Sequence, residues 1–157
     1  MIIKLIGGGV IVICSIFFTA SHRRFEERRL RTLDGLIALI NYIKGQVDCY
    51  ALPIGEILTR LPAEIFFDCN CPEGAESIDD IIAQCRIYLE EESLRLAEAF
   101  ASEFGSTFRE EQLRRCDHYI SSLTAERRLL YDEVIKRSRV GSALWVCSSL
   151  ALLILLW

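Results

Sequence analysis

Two apolar segments, one at each terminus, constrain this chain more than anything between them. Ile2–Ala20 carries a single charge, Lys4, and Val140–Trp157 carries none. A helix needs about 20 apolar residues to cross roughly 30 Å of hydrocarbon, with about 17 as the lower limit. Both segments therefore predict membrane-spanning helices, residues 1–20 and 140–157, around a domain of residues 21–139. They raise the apolar content to 52% of the 157 residues, above that of an ordinary soluble domain. A cleaved leader is the rival reading of the first segment. Phe18-Thr19-Ala20 puts a large ring where cleavage wants a small residue, and the arginines that follow are of the kind that stop translocation, so cleavage is not expected.

Orientation follows from the basic residues. Arg23, Arg24, Arg28, Arg29 and Arg31 follow the first segment, and Lys136, Arg137 and Arg139 precede the second. Basic residues stay on the cytoplasmic side. The expected topology is a two-pass hairpin with its domain in the cytoplasm and very short tails outside.

Between the segments every pattern is helical. Leu30, Leu33, Ile37, Ile40 and Val47 recur at steps of three and four, extending the first helix to about Asp48, weakened at Gly35 and Gly45. Pro53 opens a short helix, Ile54–Leu61, that Pro62 ends, and Ala63–Asp68 predicts another. Cys69–Glu76, with Pro72 and Gly74, reads as an exposed loop. Ser77-Ile78-Asp79-Asp80 is a helix start with Ser77 as cap. From there Ile78, Ile81, Ile82, Cys85, Leu89, Leu96 and Phe100 suggest one continuous helix stopped at Gly105. Thr107-Phe108-Arg109-Glu110 repeats the capping pattern. In the helix it opens, Leu113, Cys116, Ile120, Leu123, Leu130 and Val134 form a near-heptad seam. No segment alternates like a strand. The fold class expected is all-α, an antiparallel helical bundle with an N-terminal and a C-terminal transmembrane helix.

Charge is segregated along the chain. Asp48–Glu111 holds four basic and fifteen acidic residues, a net charge of −11, whereas Ser21–Val47 and Gln112–Val140 are each +3. An acidic stretch is most often a solvated face. It also offers a negative surface to a basic partner, expected here at the end away from the membrane. Glu90, Glu91 and Glu98 are the candidate partner-binding residues, exposed on a helix whose other face is apolar.

Catalytic patterns are missing. Gly7-Gly8-Gly9 lacks the Gly-Lys-Ser/Thr ending of a phosphate loop. Within a membrane helix those glycines, like Ala143, Cys147 and Ala151 at steps of four, fit close helix–helix packing. Neither His22 nor His118 follows a Glu at the spacing of a di-iron bundle. Asp117 and His118 are sequence neighbours and face different ways on a helix. Cys69-Asn70-Cys71 is too closely spaced for the usual zinc pair, and the seven cysteines form no disulfide framework, so free thiols are expected. No cofactor, metal, small-molecule substrate or nucleic acid is implied, the last because phosphates need a basic footprint. The juxtamembrane arginines suit membrane lipid headgroups.

The order of features resembles the stage III sporulation protein AB family. The glycine-containing start Met1–Gly7, the arginine-rich helix with a leucine stripe from Arg31 to Ile43, and the proline-led turn Ala51-Leu52-Pro53-Ile54 carry the likeness. So do the element Phe104-Gly105 leading to Gln112, in which Phe104 stands where Leu is usual, and the basic-to-aliphatic end from Lys136 to Leu156. Gly105 and Gln112 are the family-motif residues. The resemblance implies a non-catalytic platform in a secretion-like channel between mother cell and forespore. Its soluble domain is expected to be similar to that of the inner-membrane platform protein of type II secretion, protein F. The implied partners are the sporulation ATPase (protein AA) and the other channel membrane proteins. The rival expectation is a membrane-anchored adaptor or sensor outside sporulation.

Overall fold

The structure, a computed structural model, describes the backbone of residues 2–50, 53–71, 75–105 and 108–156. Side chains are described for residue 17 and for residues 20–49, 53–71, 75–105 and 108–137. Among these residues the chain is all-helical: α1 Ile2–Tyr50, α2 Ile54–Thr59, α3 Ala63–Asp68, α4 Ile78–Cys85, α5 Glu91–Glu103 and α6 Arg109–Leu156. It divides into two compact units, one of Met1–Glu27 with Leu130–Trp157, the other of Arg28–Leu129.

Among the described residues no helix is long and apolar enough to cross a membrane. Both expected spans are helical backbone within α1 and α6. Their side chains, including those of Gly7, Gly8, Gly9, Ala143, Cys147 and Ala151, lie almost wholly outside the described residues. In the unit that contains them, Glu26 is the notable side chain. It is only 8% exposed and meets His22 at 3.8 Å and Arg137 at 3.7 Å, a buried carboxylate with the Arg137 guanidinium as its cationic partner.

In the Arg28–Leu129 unit, α1 and α6 run antiparallel and are joined by three ion pairs. Arg127 reaches Asp34 with a bidentate guanidinium, Lys44 meets Asp117 at 2.6 Å, and Arg109 meets Asp48 at 2.8 Å. The two helices therefore leave this unit at the same end. Arg109 also donates to the Asp48 carbonyl, satisfying one of the orphan acceptors at the α1 C-terminus. The Asp117 carboxylate raises the Lys44 pKa by hydrogen bonding to the ammonium. The core takes Leu33, Leu36, Leu39, Ile40, Ile43 and Val47 from α1, and Cys116, Tyr119 and Leu123 from α6. The buried arc of α1 is wider than a single stripe because α6 covers one side and the short helices another.

Those short helices are set by local chemistry. Pro53 and Pro62 occupy the N-cap positions of α2 and α3. Gly35 is where α3 docks on α1, since a Cβ there would stand 2.9 Å from the Asp68 carbonyl carbon. The end of α3 then reverses through Asn70 at φ 59°, a left-handed conformation that Asn tolerates. The Asn70 amide donates to the Phe67 carbonyl at 3.1 Å and the Cys71 amide to the Phe66 carbonyl at 2.8 Å, a Schellman closure. Ser77 opens α4 with a complete capping box: its hydroxyl accepts from the Asp80 amide, and the Asp80 carboxylate from the Ser77 amide.

Two sequence expectations are corrected. Ser77–Gly105 is two helices, not one. The chain turns at Arg86–Tyr88, and Glu90 becomes the extended N-cap of α5. The break places Glu90, Glu91 and Glu92 at a helix N-terminus, where the dipole favours negative charge, instead of mid-helix. The cysteines of the loop are not exposed: Cys69 is 0% and Cys71 6% accessible. The turn after α3 folds them inward, and Cys85 donates its thiol to the Cys69 carbonyl at 3.1 Å. That neighbouring thiol, together with burial, pushes the Cys69 pKa up.

Candidate interaction surface

Local sequence dictates which carboxylates are free. Glu92 pairs with Arg95, Glu111 with Arg114 and Arg115, and Glu56 with Arg60, the helical spacings at which opposite charges meet. The hydrogen bond from Arg115, with Arg114 beside it, lowers the Glu111 pKa. Glu90 is not free either, because Arg29 of α1 binds it. By contrast Glu76, Asp79, Glu91 and Glu98 are exposed and make no ion pair among the described residues. Glu91 and Glu98 are seven residues apart, almost two full turns, so they share one face of α5.

The acidic residues do not collect at one end of the unit. Arg29 and Asp48 are separated by about 28 Å along α1 at 1.5 Å per residue. Glu90 is bound at the Arg29 level, beside the arginine-rich turns, whereas Glu103 lies with the distal residues of α6. Glu90 and Glu103 thus lie at different levels along α1, each paired with an arginine, and the α5 carboxylates without an ion pair are Glu91 and Glu98. Counting charges along the sequence misses this because it orders them by position in the chain and not by level along α1.

The motif residues meet at the α5–α6 turn. Gly105 adopts φ +85°, a conformation that glycine reaches without strain, and Gln112 lies half-buried beside Phe100, Phe104 and Arg115. Arg115 Nη1 and Tyr119 Oη each donate to Glu103 at 3.0 Å. Phe100 packs edge-on to Tyr119 with centroids 5.5 Å apart. Burial, then the Glu103 carboxylate, raises the Tyr119 pKa. Sequence reasoning does not single out Tyr119 or Glu103; Tyr119 lies three residues after Cys116, a spacing on the buried face that carries the signal. Phe108, just before α6, is 91% exposed. The capping residue expected there, Thr107, lies outside the described residues.

The remaining candidates are dispersed. His118 is exposed, its ring against Tyr119 at 5.3 Å. Burial pushes the Cys116 thiol up to about 11. Among the described residues no group of three His, Cys, Asp or Glu side chains could hold a metal ion.

A family model described as stage III sporulation protein AB matches residues 74–157, spanning α4, α5 and α6 and including Gly105 and Gln112. No curated protein and no solved structure matches the chain.

Proposed function

The chain belongs to the stage III sporulation protein AB family, and from that premise we propose that it is a non-catalytic platform of the sporulation channel. Its terminal apolar segments anchor it in the mother-cell membrane, and its helical domain docks the cytoplasmic sporulation ATPase. The observation that carries this reading is the antiparallel α1–α6 pair. Its ion pairs at Asp34–Arg127, Lys44–Asp117 and Asp48–Arg109 send both long helices out of the Arg28–Leu129 unit at one end, as a hairpin anchor requires. Arginines and lysines flank both apolar segments on the domain side, which holds the domain in the cytoplasm. Contacts with the other channel proteins fall to the small-residue faces of the spans, Gly7–Gly9 and Ala143, Cys147 and Ala151.

Glu91 and Glu98 supply a negative face that steers a basic partner, and Glu90 supports it from the α5 N-cap. Several charges acting together raise the rate of encounter and set specificity. The topology is tested by a reporter active only outside the cytoplasm, inserted at the exposed Gly105 turn. Silence there, with activity when the reporter is fused to residue 157, supports the hairpin. Strong activity at Gly105 overturns it and the ATPase docking together.

A further inference from the structure

A groove of about 650 Å³ opens between α2, α3 and α4. Its wall includes Leu58, Phe66, Cys71 and Ala75, and its polar lining includes Glu76 and Gln84. Leu58 and Cys71 are buried, whereas Glu76 and Gln84 are exposed. Among the described residues no basic side chain lines it. Glu76, just before the Ser77 cap, makes no ion pair among those residues, and the other carboxylate of the lining, Asp80 in the first turn of α4, accepts from the Ser77 amide and pairs with no basic residue among them. An apolar floor beneath an unneutralised carboxylate rim recognises an apolar side chain flanked by positive charge. It rejects acidic segments by repulsion.

We propose that this groove seats a basic, apolar-tipped segment of the docked ATPase. The inference rests on the platform reading and assigns separate roles to two surfaces. The α5 face, with Glu91 and Glu98, gathers the partner through long-range charge. The groove holds it, because a side chain desolvated in a pocket carries more of the binding than charges on a wet rim. Rim charges act mainly on association and salt dependence, and seated contacts on dissociation.

The test uses the full chain in detergent micelles and the purified sporulation ATPase as the probe, with association and dissociation followed separately. Ala75→Trp fills the groove, and Glu76→Lys reverses its rim; both positions lie outside the helices, and circular dichroism checks that helicity is kept. Ala75→Trp is expected to speed dissociation at least tenfold while leaving the salt dependence of association unchanged; Glu76→Lys is expected to speed dissociation and also to weaken that salt dependence. Glu91→Lys with Glu98→Lys is expected to slow association at low salt and leave dissociation unchanged. Unaltered dissociation in both groove variants overturns the groove assignment and leaves the platform reading standing. If the ATPase does not bind the wild-type chain at all, the platform reading fails and the groove assignment with it.

Discussion

Arg29 of α1 holds Glu90, the N-cap of α5, with the arginine side chain only 11% exposed and the glutamate 51%. The pair fixes where α5 starts and ties it to α1. Glu90→Lys would leave a largely buried guanidinium facing a second cation. It is expected to destabilise the domain by about 1–2 kcal/mol, a figure below that of a fully buried pair because Glu90 is half in water. Glu91→Lys, one residue on and unpaired, should stay within about 0.5 kcal/mol. Chemical denaturation of the two variants checks this, and equal losses would remove Glu90 from its structural role.

Two glycines of the same helix should respond in opposite senses. A Cβ added at Gly35 would stand 2.9 Å from the Asp68 backbone, whereas one added at Gly45 would meet nothing within 4 Å. Gly35→Ala must push α3 off α1 and should destabilise by about 1–3 kcal/mol. Gly45→Ala removes only backbone freedom from the unfolded chain and should stabilise by about 0.4–1 kcal/mol. Thermal melts of both variants give the comparison.

Thiol chemistry should sort the cysteines by burial. Of those whose side chains are described, Cys49 is exposed and Cys69, Cys71, Cys85 and Cys116 are buried. In a variant with Cys14 and Cys147 changed to Ser, a charged thiol reagent should modify one thiol quickly at neutral pH. The other four should react only on unfolding, since burial and the raised pKa values of Cys69 and Cys116 keep them protonated. Rapid modification of three or more thiols would contradict the inward turn after α3.

Tyr119 gives a pH signature. Its pKa is raised above the usual tyrosine value by burial and by the hydrogen bond to Glu103, so the folded state holds the proton more tightly than the unfolded one. Its contribution is fully present below about pH 10, the ordinary tyrosine pKa, and is lost as pH rises through the folded-state value. Tyr119→Phe should cost about 1 kcal/mol near neutrality and flatten the alkaline loss of stability. An unchanged alkaline limb would exclude Tyr119 as its source.

Much of this architecture is legible in the chain. α1 and α6 run long because no proline interrupts either of them, and Pro53 and Pro62 mark α2 and α3. The Ser77–Asp80 capping box is readable because its two hydrogen bonds are local. The break before Glu90 is not legible: the apolar spacing from Ile78 to Phe100 continues across it without glycine or proline, and the deciding partner, Arg29, is distant in sequence. Burial of Cys69 and Cys71 likewise depends on Gly35 admitting the α3 backbone, a close approach between segments that periodicity does not encode. The candidate surface follows the same division. The exposure of Glu91 and Glu98 comes from helical periodicity, whereas their level along α1 and the groove beside Glu76 come from tertiary packing.

In the proposed platform role this chain anchors an ATPase to a membrane. The direct measurement is flotation of the purified ATPase with vesicles of anionic phospholipid carrying the full-length protein, against empty vesicles. The account predicts that the ATPase rises with the protein-bearing vesicles and stays below with empty ones. Salt should weaken the association, as the Debye length falls from about 10 Å at 0.1 M to about 3 Å at 1 M. Protein-bearing vesicles that float without the ATPase at low salt would contradict it.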